Sequence, residues 1–129
     1  MNASVPQHIK QTPHLEDLNL MSNPWLDVTD DVIGDFLSLS GLQVLKLGDM
    51  HHGNVLTEKG IEMLAELDGL KSLSLAFFNW WYTGTGLNPL LRLTRLQSLD
   101  LQGCNNVDDT TLTVIGGMSS IKSLHLDSY

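Results

Sequence analysis

The sequence predicts an α/β solenoid, with five short parallel strands on one face and helices on the other, and three observations lead there. First, an apolar triplet of the form L-x-x-L-x-L recurs at Leu15-Leu18-Leu20, Leu42-Leu45-Leu47, Leu70-Leu73-Leu75, Leu96-Leu99-Leu101 and Ile121-Leu124-Leu126, with starts 27, 28, 26 and 25 residues apart. Second, an aligned apolar or aromatic residue lies fourteen positions before each later start, at Val28, Leu56, Tyr82 and Val107. Third, from those anchors the segments between triplets carry apolar residues at helical spacing behind a polar cap. A fixed period of this length marks a stacked repeat architecture, in which one unit cannot bury its apolar face without its neighbours.

Each strand is expected to be extended around its middle leucine, so that Leu18, Leu45, Leu73, Leu99 and Leu124 fall in one buried column. The alternate residues then form three outward columns: Asp17, Val44, Ser72, Ser98 and Ser123; Asn19, Lys46, Ser74, Asp100 and His125; and Met21, Gly48, Ala76, Gln102 and Asp127. The helical halves bury Ile33, Ile61, Leu87 and Leu112, and three positions on Phe36, Leu64, Leu90 and Ile115. Leu39, Leu67, Leu93 and Met118 close each unit. Thr29, Thr57, Thr83 and Asp108 stand at the N-cap position, and Asp30, Asp31, Glu58 and Asp109 place carboxylates in the first turn, where the helix dipole favours them. Gly84, Gly86 and Pro89 make the third helix the weakest, a short or irregular turn.

The cleanest copy of the unit, residues 96–112, reads LQSLDLQGCNNVDDTTL. It resembles the leucine-rich repeat, in its cysteine-containing class, and the resemblance extends over residues 15–129. It implies a short right-handed superhelix with strands on the concave face, helices on the convex face, and a protein-interaction role like that of F-box substrate adaptors of ubiquitin ligases. No F-box-like helical segment precedes the repeats, so an adaptor role would need sequence outside this chain. The class places a buried Asn or Cys eight residues after each strand start; here that position holds Asn23, Met50, Phe78, Cys104 and Tyr129, so irregular loops are expected at Met50 and Phe78. Residues 1–14, with Pro6 and Pro13, are expected to form an extended or disordered arm before the repeat domain of residues 15–129. Neither end shows a polar cap, and this points to self-association, or a partner, over Ile121, Leu124 and Leu126.

Composition narrows the functional classes. With 7 basic and 15 acidic residues the net charge is −8, which disfavours general binding to nucleic acid. No apolar run reaches the roughly 18 residues of a membrane span, and the first residues lack the features of a secretory signal. Asn2-Ala3-Ser4 matches a glycosylation sequon, read as chance without a signal peptide. One cysteine, Cys104, allows no internal disulfide, and an intracellular, cytoplasmic setting is the default.

Two surfaces are candidates for a protein partner. The second outward column, Asn19, Lys46, Ser74, Asp100 and His125, reads equally as a binding face or as a solvated one. The loops leaving the strands gather all three Trp, and Trp25, His51, His52, Trp80 and Trp81 would form a ridge beside that face; Trp is enriched where interfaces concentrate their energy. Phe78 and Tyr82 occupy repeat positions and are expected to fold inward, while at least one of Trp25, Trp80 and Trp81 is expected to be exposed. His51-His52 beside Asp49 lacks further ligands, Gly84-Thr85-Gly86 lacks the length and lysine of a phosphate loop, and Cys104 sits where the class buries its cysteine. No catalytic residue, cofactor or metal is therefore expected.

Overall fold

The computed structural model describes residues 11–20, 29–47, 57–76, 84–104 and 109–126. Within them the five strand triplets form one parallel sheet in chain order: β1 (Asp17–Asn19), β2 (Val44–Lys46), β3 (Ser72–Ser74), β4 (Ser98–Asp100) and β5 (Ser123–His125). The register is the one that alternation requires. Leu18, Leu45, Leu73, Leu99 and Leu124 are paired in one row, with Asp17, Val44, Ser72, Ser98 and Ser123 on one side of it and Asn19, Lys46, Ser74, Asp100 and His125 on the other.

The hydrogen bonds repeat with the sequence. The carbonyl of Glu16 accepts from the backbone N–H groups of both Gln43 and Val44, and Gln43, Lys71 and Gln97 do the same for the next strand along. On leaving the strands, Leu20, Leu47, Leu75 and Leu101 donate to the carbonyls of Lys46, Ser74, Asp100 and His125 at 2.8–3.0 Å. A tight turn enters each strand, Leu42 N–H donating to the Leu39 carbonyl and Leu70, Leu96 and Ile121 to their counterparts. Leu15 donates to Thr12 in the same way, so β1 is entered through the same turn without an apolar residue at its start.

Between strands lie α1 (Asp30–Phe36), α2 (Glu58–Leu64), a 3-10 helix (Gly84–Arg92) and α3 (Asp109–Gly116). Ile33 with Phe36, Ile61 with Leu64, and Leu87 with Leu90 are buried at the predicted spacing, and with the strand leucines they make one continuous core. The third helix winds as 3-10 because Pro89, inside it, has no N–H to give to an α-helical ladder. Thr57 caps α2 by accepting from the Lys59 N–H at 3.2 Å. Thr29 occupies the same place before α1 but makes no such bond. Instead the Asp30 carboxylate reaches across to the next unit and accepts from both the Thr57 N–H and the Thr57 hydroxyl. First-turn acid thus ties one repeat to the following one as well as sitting well in the helix dipole.

Three expectations are corrected. Leu124 is 37% exposed although its column mates are buried, because β5 has no strand beyond it among the described residues. Leu112 is also exposed; α3 buries Thr111, Val114 and Ile115, and no described helix packs on the side of α3 away from the 3-10 helix. Ala76, expected outward, is buried, because β3 ends at Ser74 and strand alternation does not carry into the turn that follows.

Candidate interaction surface

The outward side of the sheet is not flat. Lys46, Ser72, Leu73, Ser74, Ser98, Asp100 and His125 line a hollow of about 190 Å³ that spans β2 to β5. Its fixed point is Asp100: Oδ1 accepts from the Gln102 N–H at 2.9 Å and Oδ2 from the Ser74 hydroxyl at 3.3 Å. The first bond is local and needs no tertiary help, since an aspartate readily accepts from the N–H two residues on. The second joins β4 to β3 and holds Ser74 at only 5% exposure, whereas Lys46 and Asp100 are half-buried and His125 is exposed. The surface therefore offers hydroxyls and one oriented carboxylate, with a cation on β2 and an imidazole on β5.

Four of the predicted partner-binding residues, Lys46, Ser74, Asp100 and His125, are brought together here, while Asn19 is exposed on β1 and does not line the hollow. Ser72 and Ser98 are the additions. They belong to the first outward column, and the signal for them was the same alternation; the two outward columns enclose a depression between them. Trp25, His51, His52, Trp80 and Trp81 lie outside the described residues, as do Phe78, Tyr82 and the repeat positions Asn23, Met50 and Tyr129.

Cys104 shows what its repeat position does. Gly103 adopts φ 72, a left-handed conformation that costs glycine little, and the chain then turns Cys104 inward. The buried thiol donates to the Leu75 carbonyl of the preceding unit at 2.9 Å. Among the described residues, no group of three or more His, Cys, Asp and Glu is placed to hold a metal ion, and no helix is long and apolar enough to cross a membrane.

The crystal structure of an internalin C2 from Listeria monocytogenes superposes with a TM-score of 0.64, at 18% identity, over 95% of this chain and 55% of that one. The fold is a leucine-rich repeat solenoid. This solenoid spans about half the length of the internalin chain it matches. No family model and no curated protein matches the sequence. In the leucine-rich repeat frame, the hollow lies on the strand face, and the Cys104 thiol links its unit to the preceding one.

Proposed function

We propose that this chain is a non-catalytic protein-interaction module that grips its partner through the strand face, centred on the hollow around Asp100. The observation that carries the reading is the oriented carboxylate at the middle of a hydroxyl-lined depression, built by four strands and held by the Ser74 and Gln102 bonds. The proposal includes the neighbouring ridge of Trp25, His51, His52, Trp80 and Trp81, which rests on their sequence positions in the loops that leave the strands. It also assigns the repeats to the cysteine-containing class, supported by the thiol bond of Cys104, and an intracellular setting, which suits a single buried thiol.

The test is quantitative binding to a purified partner obtained by affinity capture. Filling the hollow with Ser98→Tyr should weaken binding by at least about 2 kcal/mol, the level of an interface hot spot, with Trp25→Ala and Trp80→Ala weakening it similarly. Glu62→Ala, exposed on α2, serves as the control and should leave it unchanged. Equal affinities for Ser98→Tyr and the control, with both folded by circular dichroism, reject the strand face.

A second reading is favoured by the outer side of β5. Leu96, Leu99 and Leu101 are buried, but their equivalents Ile121, Leu124 and Leu126 are not. As a structural subunit the chain would stack this side on another protein unit, whether a second copy, an accessory subunit or part of a ubiquitin-ligase adaptor. Light scattering should then show mass rising with concentration, and Leu124→Glu should abolish the rise; a constant monomer mass rejects self-stacking.

A further inference from the structure

Along the second outward row, β2, β3 and β4 present a cation, a hydroxyl and an anion in register: Lys46, Ser74 and Asp100. Two strand spacings separate Lys46 from Asp100, about 9–10 Å across the sheet. Asp100 is fixed by its two hydrogen bonds, yet among the described residues neither it nor Lys46 forms an ion pair. An ionised carboxylate has about four acceptor sites, so two remain for a donor coming from the hollow. The Ser72 and Ser98 hydroxyls add acceptors at its wall, and its volume admits the end of one long side chain. A half-buried carboxylate with acceptor sites to spare and no ion pair among the described residues is a seat for a cationic donor, with His125, its register partner on β5, at the edge of the same hollow.

We propose that the hollow seats a lysine or arginine side chain of a partner protein segment against Asp100, while an acidic side chain on the same face of that segment, about 9–10 Å away, pairs with Lys46. This rests on the strand-face reading above. The chain's net charge of −8 favours approach of a basic group. Repulsion between Lys46 and the seated cation acts over about one Debye length and is offset by the partner's acid. Recognition thus depends on two charges at a set separation, and either charge alone satisfies half of the surface.

A polyproline II peptide is a ruler for that separation, since three residues make one turn and rise about 9.3 Å, which puts side chains i and i+3 on one side. Blocked proline-rich peptides would carry Arg and Glu at i and i+3, with Arg/Gln, Gln/Glu, Arg/Arg, Glu/Glu and Gln/Gln as controls. Each is titrated into the intact, isotopically labelled chain by NMR. The Arg/Glu peptide should bind about tenfold more tightly than Gln/Gln, the scale of one charge-assisted hydrogen bond, and should shift the Gln102 amide. Asp100→Asn should remove the preference for Arg over Gln, and Lys46→Gln the preference for Glu over Gln. Should a variant fail to fold, the ranking of peptides on the unaltered chain decides. Equal binding of all six, no binding of any, or shifts confined to the helical layer overturns the proposal. If Ser98→Tyr abolishes binding of a protein partner while the peptides show no charge preference, the strand face stands and this assignment falls; if Ser98→Tyr has no effect, the strand face itself is rejected.

Discussion

Leu73→Ala is expected to lower the unfolding free energy by roughly 2–5 kcal/mol, the range for truncating a fully buried leucine. Leu73 is 1% exposed at the centre of the buried row, with Leu45 and Leu99 beside it on the adjacent strands. Its removal leaves a cavity that cannot collapse, because strands on both sides are held by the repeating backbone ladder. The same truncation at Leu124 should cost only on the order of 1 kcal/mol, since water already reaches that side chain and no closed cavity remains. Denaturant unfolding of the two variants measures the contrast. Equal losses would mean that the row is not graded from centre to edge.

That gradient marks where sequence reading succeeds and where it stops. A middle leucine flanked by apolar residues three before and two after fixes both the strand and its inward side, so the complete register from Asp17 to His125 was legible. Burial at the edge was not. Leu124 matches Leu73 in pattern, and only the neighbouring strand distinguishes them; likewise Leu112 fills the position of Ile33, but α2 packs against α1 whereas among the described residues no further helix packs beyond α3. Ala76 misled for a different reason, since extrapolating alternation past Ser74 assumes a strand where the chain has already turned.

The outward columns supplied the residues that line the hollow without ranking them, and Asn19 of the second column lies outside it. Asp100 looked like one polar residue among five, although a local signal was present: an aspartate two residues before Gln102, entering the turn at Gly103, is placed to accept the Gln102 N–H. The Ser74 bond was not legible, because it depends on the distance between two side chains on adjacent strands. Nor was the bond from Asp30 to Thr57, where a carboxylate that suits its own helix dipole turns out to hold the following unit. Such links between repeats are invisible to a pattern read one repeat at a time.

Phe36→Ala should have the largest effect on stability, a loss of about 3–5 kcal/mol. Phe36 is 0% exposed and the bulkiest of the fully buried side chains, enclosed between α1 and the strand leucines. A loss of that size is a large part of the 5–15 kcal/mol typical of a whole domain. It should also be localised. In a stacked array each unit is stabilised mainly by its nearest neighbours, so the damage falls first on the unit that contains Phe36 and on β1 and β2 beside it. Hydrogen exchange should therefore show a larger drop in protection, relative to the unaltered chain, at Gln43 and Val44, whose amides donate to Glu16, than at Lys122 and Ser123, whose amides donate to Gln97 at the exposed edge of the sheet. Phe36→Leu should recover most of the stability, since it restores much of the apolar volume. A loss below about 1 kcal/mol for Phe36→Ala would show that the first helical unit is not packed on the sheet as described, and an equal drop in protection at both ends would show one cooperative unit in place of a graded array.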